Sequence, residues 1–214
     1  MIQRIIHTPR TVAVRENSDG TPSRTIEGYA IVFDTPSVDM SLYEDEVIRE
    51  IISRDAVSQE LLDTSDIKMT MFHDRQLILA RACGGKKKRT LEYGIDDMGV
   101  WFRFDAPNTT DGDKALELVK RGDIDGCSFA FSTNYSNGDF VSETAYTDEK
   151  NRKCRTFTVK RMTGIYDFTL AADPAYPSTT VATQQREIIR KRDEEKEDTS
   201  YLKDIEEINN QINK

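Results

Sequence analysis

The sequence predicts an α+β fold that is mostly β. The expected architecture is a closed or partly open β-barrel with a few peripheral helices, followed by a charged helical tail. Three observations carry this. Short runs of β-branched and aromatic residues recur up to about residue 183, with turn-forming residues between them. Helical periodicity over that stretch is confined to brief segments. From Gln184 to Lys214 there are seven basic and nine acidic side chains and neither Gly nor Pro. The predicted organisation is one domain over 1–183 and a tail over 184–214.

Each element has a local reason. "TVAVRE" and "IEGYAIVFD" are strands separated by the turn-rich "NSDGTPS", which predicts a hairpin with a long loop. Over 44–62, "EDEVIREIISRDAVSQELL" places Val47, Ile48, Ile51 and Ile52 at helical spacing. That predicts a helix, with Ser53 or Asp55 capping a second short one that ends near Leu62. "IKMTMFHD" and "LILARACGG" read as strands. "RTLEYGIDDMGVWFRFDAP" reads as two alternating strands around a tight turn at "DDMG". Residues 111–122 form an amphipathic helix with Ala115, Leu116, Leu118 and Val119 as its apolar positions and Gly122 as its C-cap. "CSFAFS" and "RTFTVKRMTGIYDFTLAAD" are strands again. The polar stretch 134–156 between them reads as an extended hairpin or a mobile insertion. In the tail, Leu202, Ile205, Ile208 and Ile212 fall on one face of a helix, which reads either as a solvated, frayed tail or as a helix that docks on a partner or on a second copy.

Bulk composition narrows the function. The net charge is −8, and the densest basic cluster, Gly84 to Arg89, reads as a solvated turn, so nucleic-acid binding is not expected. No stretch approaches the roughly 20 apolar residues of a membrane span. The opening "MIQRIIHTPRTVAV" lacks an apolar run ahead of a small-residue cleavage site, so no secretory signal is expected. Three cysteines without clustered spacing argue against a disulfide framework and against a zinc site. An intracellular setting with neither metal nor organic cofactor is the expectation.

The residues that could carry chemistry are few. Of the two histidines, His7 precedes a Thr-Pro pair with nothing catalytic around it, and His73 ends the strand "MTMFH". In "DGCSFAF", strand alternation places Cys127, Phe129 and Phe131 on one face, and Ser128 and Ala130 on the other. Ser128 would then look out beside a small alanine, with room for a substrate. In "IYDFTLAAD", Tyr166, Phe168 and Leu170 share a face, and Asp167 and Thr169 share the opposite one with Ile165. A serine hydroxyl becomes a nucleophile when a base takes its proton, and a carboxylate behind a histidine base fixes its tautomer. His73, Ser128 and Asp167 are one trio that fits. A core serine and a structural ion pair fit the same residues, and spacing alone leaves both open. A thiol enzyme through Cys127 is disfavoured, because that side chain falls on the aromatic face.

Four blocks in order carry a family likeness between about Glu27 and Thr183. They are "EGYAIVFD", "FHDRQLILAR", "GDIDGCSFAF" and "IYDFTLAADPAYPSTTVAT". Together they resemble the prohead (capsid maturation) serine proteases of tailed bacteriophages, whose fold is related to the herpesvirus assembly proteases. The resemblance implies a serine endopeptidase acting inside the immature capsid, in the host cell cytoplasm. Its implied substrates are the scaffold or the scaffold-like segment of the major capsid protein, and usually the enzyme itself. It implies catalysis by His73 and Ser128, with the family's third member, commonly a glutamate, falling on Asp167. Asp173, Asp139 and Glu143 are the alternative acids. Arg81 is the candidate for the oxyanion or substrate, unless it is held in a salt bridge with Asp74 or Asp97. The herpesvirus relatives act as dimers, so a homo-oligomer is one expectation. The contrasting expectation is a non-catalytic capsid-assembly or scaffolding module that keeps the protease fold.

Overall fold

A computed structural model describes residues 4–8, 12–15, 23–41, 43–83 and 89–171. The chain divides into two units, Met1–Tyr176 and Pro177–Lys214, and all of these residues belong to the first. The predicted tail helix and the basic loop 84–88 lie outside the described residues, as does Asp173.

Twelve strands and two α-helices follow one another among the described residues. A five-stranded sheet carries the residues of interest. Its strands are β1 (Arg4–Thr8), β5 (Asp66–Met71), β6 (Asp74–Cys83), β9 (Gly126–Ser132) and β12 (Gly164–Ala171), in the spatial order β1-β9-β12-β5-β6. A four-stranded sheet has the order β2-β3-β8-β7, from β2 (Val12–Val14), β3 (Thr25–Val32), β7 (Glu92–Ile95) and β8 (Gly99–Asp105). A three-stranded sheet has the order β10-β11-β4, from β4 (Glu46–Ile52), β10 (Val141–Thr147) and β11 (Lys153–Val159). The fold is thus mostly β as expected. Among the described residues, however, its strands divide among three sheets and no closed barrel forms. Ring packing joins two of the sheets. Phe102 on β8 lies 6.4 Å from Phe168 on β12, and Phe129 stacks on Phe131 at 5.4 Å. These four rings and Phe157 are fully buried, and each contributes about 1.5–3 kcal/mol of burial energy.

The predicted hairpins form: β2 with β3, β7 with β8, and the polar insertion as β10 with β11. At the β7–β8 turn the Asp96 carboxylate accepts the backbone N–H groups of Met98 and Gly99. The helix at 111–122 is α2 (Thr110–Arg121). Thr109 caps its first turn by accepting Gly112 N–H, and Gly122 ends it at φ 76°, a left-handed conformation that glycine adopts without steric cost. Asp111 and Asp113 sit at its N-terminus and Lys120 and Arg121 at its C-terminus, matching the helix dipole.

The helix expected over 44–52 is a strand, β4, parallel to β11. Val47, Ile48, Ile51 and Ile52 are all β-branched, a composition that suits a pleated surface. Only the partner strand, about a hundred residues away in sequence, decides the matter. The second helix is a 3-10 turn (Arg54–Ala56) followed by α1 (Gln59–Thr64), which Ser58, rather than Ser53 or Asp55, caps through Leu61 N–H. Among the described residues, no helix is long and apolar enough to cross a membrane.

Candidate active site

The site is a patch on one face of the five-stranded sheet. Directly paired residues share a face. Ser128 on β9 pairs with Thr169 on β12, which pairs with Thr70 on β5. In the adjacent row Ala130 pairs with Asp167, Asp167 with Lys68, and Lys68 with Arg81. The expected phases therefore hold for Ser128, Ala130, Asp167 and Thr169. They fail at Ile165, which pairs with Phe131 on the aromatic side. A bulge is the cause. One residue, Tyr166, is inserted between Ile165 and Asp167, so the alternation slips by one position. The bulged tyrosine is anchored by a hydrogen bond between its hydroxyl and Ser132 Oγ at 2.9 Å.

His73 reaches this patch from a turn. Met71 pairs with Asp74, which leaves Phe72 and His73 as a two-residue hairpin loop between β5 and β6. Their φ angles are 55° and 56°, the sign pattern of a type I′ turn. Such turns normally use Asn and Gly. A non-glycine residue in the left-handed region costs roughly 1–2 kcal/mol, so this pair stores about 2–4 kcal/mol of backbone strain. The surroundings hold it in place. Phe72 N–H donates to Leu170 O at 3.1 Å, and His73 N–H donates to Thr169 Oγ1 at 2.9 Å. Strain of this kind persists where neighbouring structure over-determines the conformation, and functional sites are where it collects.

The imidazole completes the geometry. His73 Nδ1 lies 2.8 Å from Asp167 Oδ1, with 21% of the histidine side chain and 5% of the aspartate side chain exposed. An ionised carboxylate only accepts hydrogen bonds, so against it Nδ1 carries the hydrogen and Nε2 keeps its lone pair. Nε2 is buried and has no hydrogen-bond partner among the described residues. A buried polar atom left in that condition is uncommon in native structures and asks for an explanation.

Ser128 differs from expectation. It is 3% exposed, and no hydrogen bond joins it to His73 Nε2. β9 is an inner strand between β1 and β12, and every residue along it is buried. The room for a substrate that alternation implied is therefore absent from this conformation. His7, set aside in the sequence, lies on β1 in register with Ser128, a juxtaposition that depends on strand pairing across 120 residues.

Arg81 takes neither of its expected partners. Its guanidinium makes a bidentate pair with Asp66 at 2.7 and 2.6 Å, and Asp97 pairs with Arg54 instead. The Arg81 hydrogen bonds hold the Asp66 carboxyl well below the usual carboxylate range. Arg81 shares the face of Asp167 but stands three strands from β9, about 14 Å across the sheet. Of the alternative acids, Asp139 is exposed, and Glu143 pairs with Arg155 at 2.7 Å on the three-stranded sheet. Cys127 is fully buried and its thiol donates to Ser128 O, while burial pushes the thiol well above its ordinary value.

A model of the Caudovirus prohead serine protease family matches residues 10–194. None of the curated proteins matches the sequence. Among solved structures, the bacteriophage T4 capsid assembly protease, gp21, aligns at 11% identity over 79% of this chain and 98% of its own. Its TM-score is 0.38, too low for the likeness to bear on the site.

Proposed function

The chain belongs to the caudovirus prohead serine protease family, and from that premise we propose that it is the endopeptidase of capsid maturation, with Ser128, His73 and Asp167 as its catalytic triad. Its substrate is the scaffold, or the scaffold-like segment of the major capsid protein, and in part the enzyme itself. The observation that carries the assignment is the 2.8 Å His73–Asp167 pair, whose second ring nitrogen is unbonded and buried on the face that also bears Ser128.

The chemistry follows from that geometry. Nε2 takes the Ser128 proton as Oγ attacks the scissile carbonyl, and Asp167 holds the imidazole and stabilises the imidazolium that forms. The imidazolium then protonates the leaving amine, giving an acyl-enzyme. A water attacks the ester with its proton passing to Nε2, and the proton returns to Ser128 as the acid product leaves. The missing Ser128–Nε2 hydrogen bond is compatible with this, because such bonds are often long in free enzymes and tighten with substrate. Arg81, three strands from Ser128 and paired with Asp66, is too far to meet the oxyanion, and its role is with the substrate chain further along the same face.

The burial of Ser128 favours a second reading, in which it is a small core residue and the protein assists capsid assembly without cutting. Co-expression with the cognate major capsid protein separates the two. Intact mass should show cleavage by the wild-type chain and none by Ser128→Ala. Capsids that assemble with neither form cutting would establish the assembly module.

A further inference from the structure

Two buried threonines have no part in the proton transfers above. Thr70 and Thr169 are both fully buried. Thr70 Oγ1 donates to Thr169 Oγ1 at 2.9 Å, and the backbone N–H of His73 donates to that same oxygen at 2.9 Å. Thr169 is flanked in register by Thr70 on one side and Ser128 on the other. A single hydroxyl oxygen therefore touches the backbone of the residue bearing the imidazole, at the strand position beside the serine.

Packing does not require hydroxyls there. Valine has nearly the shape of threonine, suits a buried strand, and avoids the desolvation of a hydroxyl. What a hydroxyl adds is an acceptor at the place where the turn needs one. Both residues of the turn have positive φ, and neither is Gly or Asn. The His73 N–H is taken up by a side chain, so the turn's geometry depends on where that side chain stands. The Thr70 hydroxyl bonds Thr169 from the neighbouring strand and fixes its rotamer.

We infer that Thr169, backed by Thr70, is a positioning residue that latches the Phe72–His73 turn and so holds the imidazole against Asp167. The inference rests on the triad reading above. It extends the site by two residues that meet neither substrate nor the reacting atoms.

The test uses the full chain with Thr169→Val, Thr169→Ser and Thr70→Val. It has two readouts: the rate at which a fluorophosphonate labels Ser128, and hydrogen exchange of the His73 backbone amide. Loss of one hydrogen bond at the latch is expected to slow labelling, and to speed exchange, by about tenfold in Thr169→Val. Thr169→Ser keeps the oxygen and should restore both to within about threefold of wild type. Wild-type values in Thr169→Val overturn the latch, and equal losses in the Val and Ser variants assign the effect to the methyl group instead. If Thr169→Val does not fold, Thr70→Val decides. It keeps the acceptor but frees its rotamer, and unchanged exchange at His73 would then refute the inference. A wild-type protein that is never labelled, while the variants still loosen the His73 amide, overturns the triad and leaves the latch standing.

Discussion

Replacing Asp167 by Asn tests the site at its narrowest point. The aspartate side chain is 5% exposed and accepts from His73 Nδ1 at 2.8 Å. An amide has the same outline but no charge. If its oxygen faces Nδ1 the tautomer survives, but the forming imidazolium loses its counter-charge. If its NH₂ faces Nδ1, the ring hydrogen moves to Nε2 and the base is blocked. The charge-assisted hydrogen bond alone contributes roughly 1.5–3 kcal/mol, and the tautomer penalty adds to it. In enzymes built on this constellation the same exchange lowers kcat by about 10⁴. We expect fluorophosphonate labelling of Ser128 to slow by about 10³–10⁴, or about 4–5.5 kcal/mol in the barrier. Asp167→Glu inserts a methylene where the contact is already at bonding distance. Overpacking should cost about 1–3 kcal/mol of stability. The displaced carboxylate should cost on the order of 10² in rate. Stopped samples analysed by intact mass give the rates, and thermal melts give the stability. An Asp167→Asn protein that melts normally and labels within about threefold of wild type would refute the assignment of Asp167.

Further outcomes follow from other parts of the molecule. Phe72→Gly should leave stability within about 1 kcal/mol of wild type. About 1–2 kcal/mol of strain is relieved, while loss of the exposed Phe72 ring's remaining contacts and glycine's chain entropy together take away a similar amount. A loss of about 2 kcal/mol in urea melts, the ring and entropy terms with nothing to offset them, would mean that the turn is unstrained. Maleimide treatment of the native protein should leave Ser128 labelling unchanged and Cys127 unmodified by peptide mapping, since that thiol is buried and protonated. Fast modification of Cys127 would contradict its placement. Asp66→Asn should cost under about 1 kcal/mol near neutral pH, because the pair with Arg81 is nearly half exposed. The folded state lowers the Asp66 pKa, so this contribution is complete above the ordinary value near 4 and fades as pH falls below it. Denaturant melts of wild type and variant should therefore converge in acid, and a gap that widens there would reverse the sign.

The parts of this fold written in local pattern were legible. α2 announces its apolar positions and its glycine cap. β9 alternates small and aromatic residues clearly enough to place Ser128 and Phe129 on opposite faces. Other features depend on distant partners. The isoleucines of β4 fit a helical stripe as well as a strand, and β11 arbitrates. A single inserted residue, Tyr166, breaks the phase between Ile165 and Asp167 without any turn residue to mark it. The turn at Phe72 and His73 lacks the Gly or Asn that would have announced it. Its one signal is a polar "HD" between two apolar runs. Thr70 and Thr169 stood on the polar phases of their strands, yet alternation cannot say that they meet. The burial of Ser128 reflects the inner position of β9, a property of sheet order and not of the strand itself.

The pairing of β5 with β12 sets an order of events during synthesis. His73 and Asp167 are 94 residues apart in sequence, and the strands that bring them together are parallel neighbours with no local hairpin between them. At roughly 5–20 residues per second a ribosome needs about 5–20 s to pass from one to the other. Through that interval the histidine has been made and the carboxylate that orients it has not. On the triad proposed above, a nascent chain lacks the carboxylate partner of its base until β12, the last described strand of the sheet, has closed. The topology of the sheet thus places a delay between the making of the imidazole and the making of its partner.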